Sequence, residues 1–423
     1  MEQAEAAAEL SADSLEKLQL EKLQKFIAYA YTNSPYYARK YDLAGVSPAD
    51  LSCLGDLKKF PILEKEELRQ FTSEIQCRNA VGQKDLQWIS TSGTTGSPIT
   101  IAFTPADMQQ RFAYLYRMLR QFEIEPFDTS VRFSGRAIYD GAEKNNIFWR
   151  MNWPQNQMLM SSYHLKNENL DHYVRRLIEF QPKMMDGYPS SIFILARHIN
   201  NTGQHGAIKP KLIMTTAETL EDFQRAEIIS AFPDVKIANQ YASSEGAPFI
   251  TEDIYGDLII NTDTGVIEAG GDACDESGEM IVTSFTTHAF PLIRYRIGDR
   301  IAMKPGQLGR SMAMPVAKGI LGRQEDLIIS PDRGPVGRLD PVFKKMPSTV
   351  VESQIEQTAP SHVVLRAVPD YQSGYAEEQL DSVVAELQKR LGAMTIKIET
   401  VDALPRGKNG KLRAVIGRSM DKL

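Results

Sequence analysis

A chain of 423 residues is too long for one ordinary hydrophobic core and points to two domains. Hydrophobic residues make up 42% and charged residues 24%, the balance of a soluble globular protein. Lys and Arg number 48 against 54 Asp and Glu, and the net charge of −6 argues against a general binder of nucleic acid or anionic membrane while leaving room for a local basic pocket. Cys53, Cys77 and Cys274 are scattered, with no CxxC pair and no Cys/His cluster at zinc spacing, so they read as free thiols, mostly packing residues, in a reducing compartment. The opening MEQAEAAAELSADSLEKL has no basic stretch followed by an apolar core, and no apolar run is long enough to span a bilayer; the expected location is cytoplasmic.

The first element predicted is a helix from Ser14 to Thr32, with Leu15, Leu18, Leu23, Phe26, Ile27 and Ala30 at helical spacing, Ser14 as its cap and Asn33-Ser34-Pro35 as its stop. EKEELRQF, after Pro61-Ile62-Leu63, reads as a second helical piece. Gln87 to Phe103 reads as strand, glycine-rich turn, strand, followed by a long helix from Pro105 to Phe122 with a proline and an aspartate in its first turn. Between 130 and 300, VRFSG, KLIMTT, KIANQYA and EMIVTSF read as strands, while DHYVRRLIEF and SSIFILARHI read as helices. That alternation predicts an α/β fold with largely buried sheets. The last stretch reads as a separate α+β unit: HVVLRAV a strand, Leu380 to Leu391 a helix closed by Gly392, TIKIETV a strand. The Gly, Pro and Arg content between Lys304 and Gly337 places the boundary near Gly322-Arg323, giving domains 1–322 and 323–423.

Five segments carry chemistry. TSGTTGSP, from Thr91 to Pro98, combines glycines, which let a backbone approach a phosphate, with hydroxyls that donate to its oxygens; alone such a loop is more often a plain surface turn. In QYASSEG, from Gln240 to Gly246, a carboxylate after a strand can hold Mg2+ and Tyr241 can stack on a base; alone the pair is also a core tyrosine beside a solvated glutamate. In PLIRYRIGDR, Asp299 next to Gly298 at a strand end can accept ribose hydroxyls, or the segment is a hairpin turn with charged flanks. GRQED, from Gly322 to Asp326, and LPRGKNGKLR, from Leu404 to Arg413, complete the set; Lys411 in the second can bring an ammonium to a developing negative charge, and locally it also reads as a solvated basic tail.

The order of the five resembles the adenylate-forming superfamily of acyl-CoA synthetases, adenylation domains and luciferases. TSGTTGSP resembles its phosphate loop, YASSE its YGxTE motif, YRIGD its YRTGD motif, GRQED its GRxDD hinge and LPRGKNGK its catalytic-lysine motif. KLQKFIAYAYTNSPYYARKY with DLKKFPILEKEELR, the short region before the phosphate loop, MMDGYPSSI and PLIRYRIGD resemble the phenylacetate-CoA ligase and CapK-like branch, over essentially the whole chain. Aryl-CoA ligases acting on benzoate- or anthranilate-like acids are the nearest functional type the resemblance suggests.

The resemblance implies a large N-terminal adenylate-forming domain with several sheets and a small mobile α+β C-terminal lid. It also implies ATP, Mg2+ and coenzyme A as cofactors and a small carboxylic acid as partner, with no nucleic acid or membrane. By matching position, Ser92, Gly93, Thr94, Thr95 and Gly96 form the phosphate loop, with Thr94 among the catalytic groups. Ala217 and Glu218 line the adenine and acyl pocket, Tyr241 stacks on adenine, Ser244 contacts the α-phosphate and Glu245 binds magnesium. Asp299 and Arg323 contact ribose, Glu325 is the hinge and Lys411 the adenylation lysine. Candidate acyl-pocket residues are Phe133, Ser134, Gly135, Tyr188, Pro189, Ala242, Gly246, Ala247 and Pro248. Ser97 stands where the phosphate loop has lysine, Ala242 where YGxTE has glycine, and Glu325 where the hinge has aspartate. Transfer to a carrier-protein thiol, to an amine or to a sugar-linked acceptor remains open, as do a non-catalytic adenylate-binding role and a homodimeric state.

Overall fold

The computed structural model describes residues 2–90, 99–134, 138, 146–162, 164–165, 167–270, 277–323, 328–331, 334–336, 339–343, 345–347, 349–406 and 412–417. Contacts divide the chain into two units, Met1–Pro126 with Ala238–Ile320, and Phe127–Ile237 with Leu321–Leu423. No described helix is long and apolar enough to cross a membrane.

In the first unit the helix Ala12–Asn33 buries Leu15, Leu23, Phe26, Ile27 and Ala30, the face the spacing predicts. It begins earlier than expected. Ser11, in extended backbone, accepts from Ser14 N at 3.3 Å, so Ser14 is the capped residue rather than the cap. Ser34 ends the helix, and Pro35 opens the next, Pro35–Ala44. That second helix buries Tyr36, Tyr37 and Tyr41. The Tyr37 hydroxyl donates to Pro291 O at 2.7 Å and accepts from Ile293 N at 3.1 Å, which ties the N-terminal helices to the segment leading into YRIGD.

The strands Gln87–Ser90 and Thr100–Phe103 pair antiparallel with Ser90 opposite Thr100. The glycine-rich turn joining them, 91–98, lies outside the described residues. Thr104 and Asp107 then form a capping box for the helix Pro105–Arg120. In the rest of the unit Gln240 and Tyr241 pair with Ile250–Glu252, which pairs with Leu258–Ile260, and Leu258 pairs with Ala317. Ser277–Ser284 pairs antiparallel with both Gly265–Gly270 and Tyr295–Leu308.

Asp299 departs from expectation. It lies inside the strand Tyr295–Leu308, neither at a strand end nor in a hairpin turn. Glu279 pairs with Arg300 and Ile281 with Arg296, so the residues around Gly298 bulge out of register, with Gly298 at φ +87°. A bulge re-aims a side chain within an otherwise regular ladder. Of the cysteines, Cys53 is exposed and Cys77 buried, so only the latter is a packing residue; burial pushes its thiol up to about 12. Cys274 lies outside the described residues.

In the second unit Ser130–Ser134 pairs in parallel with Met184–Gly187 on one side and Gln157–Ser161 on the other, and Met184–Gly187 pairs in parallel with Leu212–Thr216. The helices Leu170–Phe180 and Pro189–Asn201 are the two predicted, and Asp222–Ala231 is a third. Parallel strands are covered on both faces, and Leu212–Thr216 accordingly opens on an apolar run, while Met184–Gly187 carries a buried Asp186 that pairs with Arg132. Residues 328–416 carry their own core of Ile328, Ile355, Val363, Leu365, Val383, Leu387 and Leu391. Around it stand four strands in the order Thr395–Thr400, His362–Pro369, Val350–Ala359 and Val415–Ile416, and the helix Asp381–Leu391. This is the separate C-terminal α+β domain. Val350–Ala359, VVESQIEQTA, is absent from the predicted elements because buried Gln354 and Gln357 interrupt the apolar pattern.

Candidate active site

In the first unit two motif segments meet. Tyr241, the last residue of the strand Lys236–Tyr241, donates its hydroxyl to Asp299 Oδ2 at 2.6 Å across 58 residues of sequence. The bulge at Gly298 is what brings Asp299 to it. A carboxylate has several lone-pair sites and can accept from more than one donor.

The turn after Tyr241 is built tightly. Gly246, at φ +87°, donates its N–H to Ser243 O at 3.0 Å, and Ala247 N donates to Ser243 Oγ at 3.1 Å. A Cβ on Gly246 would stand 2.7 Å from Phe103 Cε1, so only glycine fits. Within this turn Glu245 is buried, Ser244 exposed and Ala242 half-buried, while Ala247 and Pro248 are buried. A single carboxylate suits Mg2+ that arrives on nucleotide phosphates and keeps its waters, rather than an all-protein cage. Among the described residues no group of three or more His, Cys, Asp or Glu stands close enough to hold a metal ion.

The second unit joins two other motif segments. Ala217, directly after the strand Leu212–Thr216, adopts φ +71°, a left-handed conformation that costs a residue bearing a Cβ. Glu218 Oε2 accepts from Ser190 N at 3.1 Å, in the first turn of the helix Pro189–Asn201. Its Oε1 accepts from Leu412 N at 2.8 Å. Arg406 forms a β-bridge with Leu412, donates to Ser190 Oγ at 3.3 Å and pairs with Glu352 Oε1 at 2.5 Å. Burial pushes the carboxyls of both Glu218 and Glu352 up, and Arg406 pulls both back towards the charged form. Arg406 and Leu412, the described residues on either side of 407–411, are thus tied to Ser190 at the start of the helix Pro189–Asn201 and to Glu218 after the strand Leu212–Thr216.

Among the acyl-pocket candidates, Phe133 is buried in the core and its ring stacks on Tyr173 at 6.5 Å. Tyr188 is buried and precedes Pro189, the first residue of its helix. Ser134 ends a strand, with its side chain outside the description, as is Gly135. Arg323 ends the strand Pro315–Arg323, and its side chain too is outside the description. Ser92, Gly93, Thr94, Thr95, Gly96, Glu325 and Lys411 lie outside the described residues. The sequence did not single out Ser243, Ser190, Glu352 and Arg406. Ser243, Ser190 and Arg406 sit within segments already picked out, whereas Glu352 carries no local signal.

Replacing Tyr241 by phenylalanine removes one charge-assisted hydrogen bond and keeps the ring. The expected result is a rise of about tenfold in the KM for ATP with a smaller change in kcat, read from initial rates of pyrophosphate release.

The chain is 31% identical over 414 residues to Protein CapK of Staphylococcus aureus, covering 96% of this chain and 89% of that protein. The chain belongs to the CapK family. Residues 328–418 match the CapK C-terminal domain model. A phenylacetate-coenzyme A ligase of Aromatoleum evansii is 26% identical over 443 residues, 96% of this chain and 95% of that one. Among solved structures, a 2-hydroxyisobutyryl-CoA ligase in the postadenylation state superposes with a TM-score of 0.75 at 19% identity, over 97% of this chain and 90% of that one. The CapK-family chain therefore has the adenylate-forming fold, as its motif order implied.

Proposed function

We propose that the chain activates a carboxylic acid with ATP, forms an acyl adenylate, and passes the acyl group to the thiol of coenzyme A. The observation that carries this reading is the hydrogen bond from Tyr241 to Asp299, which brings the YASSE and YRIGD segments to one place. Relatives that cover most of the chain are named as phenylacetate-coenzyme A ligases, which supports an AMP-forming acid–thiol ligase.

In the first half-reaction an oxygen of the acid's carboxylate bonds to the α-phosphorus and the bond to pyrophosphate breaks. The step needs charge neutralisation more than proton transfer. Asp299 takes the ribose hydroxyls, Tyr241 the adenine face, Glu245 the metal, and Ser92 to Gly96 with Ser244 and Lys411 the phosphate oxygens. Mg2+, when bound at Glu245, offsets phosphate charge. Ala217 and Glu218 border the adenine, and Arg323 reaches the ribose. In the second half-reaction the thiol adds to the acyl carbon and AMP leaves. Residues 323–423 act as a small mobile domain that turns about Glu325 and carries Lys411 away between the halves.

For the acid we favour a flat aryl carboxylate, as the resemblance to aryl-CoA ligases suggests. One observation favours a second acceptor. The relative at 31% identity is named CapK and not a coenzyme A ligase, so a carrier-protein thiol, an amine or a sugar-linked acceptor stands as the alternative. The deciding experiment is acid-dependent ATP–pyrophosphate exchange and AMP release across aryl, aliphatic and amino acids, with and without coenzyme A. Exchange with an aryl acid, and AMP turnover that rises on adding coenzyme A, is the expected result. No exchange with any acid would refute adenylation; exchange without a coenzyme A effect would refute the acceptor.

A further inference from the structure

Arg111 lies on the helix Pro105–Arg120, outside every motif. Its Nη1 donates to Gly246 O at 3.0 Å, to Ala247 O at 3.3 Å and to Thr286 Oγ1 at 2.9 Å. Its guanidinium carbon stands 4.5 Å from the Phe249 ring centre and 5.8 Å from that of Phe103. Phe103 ends the strand that leaves the glycine-rich turn 91–98, and the same ring packs against Gly246. One side chain therefore grips the turn that carries Glu245 and stacks on the strand that leaves the phosphate-loop segment.

The guanidinium is an expensive group to use as packing. Burial lowers its affinity for a proton, to about 10, against a partly opposing charge from Asp107. Two carbonyls, one hydroxyl and two aromatic faces offset the desolvation further. The carbonyls belong to the two residues that directly follow Glu245. Fixing them orients the peptide planes on one side of that carboxylate and limits the conformations open to it.

We infer that Arg111 is a positioning residue for Glu245, and through it sets how tightly metal-bound nucleotide is held in the adenylation half-reaction. This rests on the metal role proposed for Glu245. Groups that orient a metal ligand without touching the metal typically change affinity or activity by about 10–100-fold when removed.

The test measures ATP–pyrophosphate exchange against Mg2+ concentration for the wild type, R111Q, R111K, T286V and E245Q, with melting curves for each. A second assay supplies acyl adenylate and coenzyme A. R111Q is expected to raise the half-saturating Mg2+ by about tenfold while its rate from supplied adenylate stays within about twofold of wild type. R111K keeps the charge but not the planar fork, and is expected to fall between the two. T286V removes one anchor and is expected to shift the Mg2+ requirement about threefold. A folded R111Q with wild-type Mg2+ dependence beside a defective E245Q would overturn the inference and leave the adenylation reading standing. Wild-type dependence in both would overturn the metal role of Glu245 and the inference with it. Should R111Q fail to fold, T286V decides: a shift supports the clamp, and none overturns it.

Discussion

Replacing Lys411 by alanine is expected to lower ATP–pyrophosphate exchange by about 10²–10³-fold while coenzyme A thioester formation from supplied acyl adenylate survives. The reason for the split is chemical. On the proposed mechanism only the first half-reaction builds charge between a carboxylate and a phosphorus, which is where an ammonium at Lys411 would lower the barrier. The structure adds a reason to expect a clean variant. The backbone N–H of Leu412, the next residue, is held by the Glu218 carboxylate at 2.8 Å, and Arg406 is tied to Ser190 and Glu352. None of these contacts uses the Lys411 side chain, so the truncation removes a charge and leaves the anchors in place. Exchange that persisted at the wild-type rate would show that the lysine has another role.

The largest expected loss of stability comes from Arg117→Ala. Arg117 and Asp263 are 4% and 1% exposed and pair through both guanidinium nitrogens, at 2.6 and 3.0 Å. The same guanidinium donates to Ala4 O at 2.8 Å and Asn261 Oδ1 at 2.7 Å. Removing one member of such a pair strands a buried carboxylate, at a cost of about 3–5 kcal/mol. In a unit of this size that corresponds to a fall of roughly 10 °C in its melting temperature. Lys22, which donates to Asp263 O at 2.8 Å, remains as the nearest cation and limits the loss. An isosteric Asp263→Asn change should cost less, because the arginine keeps an acceptor. A melting temperature unchanged in Arg117→Ala would show that water reaches the pair.

Several elements were legible in the sequence for plain reasons. The N-terminal helix shows a 3.6-residue apolar repeat, and of the parallel strands in the second unit Leu212–Thr216 shows a short apolar run, whereas Met184–Gly187, broken by Asp186 and Gly187, is not among the predicted strands. The C-terminal α+β domain is legible through the Leu380–Leu391 periodicity and Gly392, which sits at φ +67° at the helix end. Local rules failed where the determining group lies elsewhere in the chain. Ser14 has the chemistry of a cap, but Ser11 takes the role because its own backbone is extended. Val350–Ala359 is polar in pattern because its glutamines are satisfied by partners: Gln357 Nε2 donates to Ile329 O at 2.8 Å and Gln354 Nε2 to Arg413 O at 2.8 Å.

The candidate site divides along the same line. The order of five motifs pointed to the adenylate-forming superfamily, the N-terminal segment, MMDGYPSSI and PLIRYRIGD pointed to the CapK-like branch, and the resemblance proposed Glu245, Asp299 and Glu218 as site residues. Which groups hold those residues in place was decided only in the folded chain. Asp299 reaches Tyr241 through a bulge, Glu218 reaches Leu412 across 194 residues, and Arg111 reaches the Glu245 turn across 135. Such partners share no period and no spacing in the sequence, since a hydrogen bond depends on distance in space and not on distance along the chain.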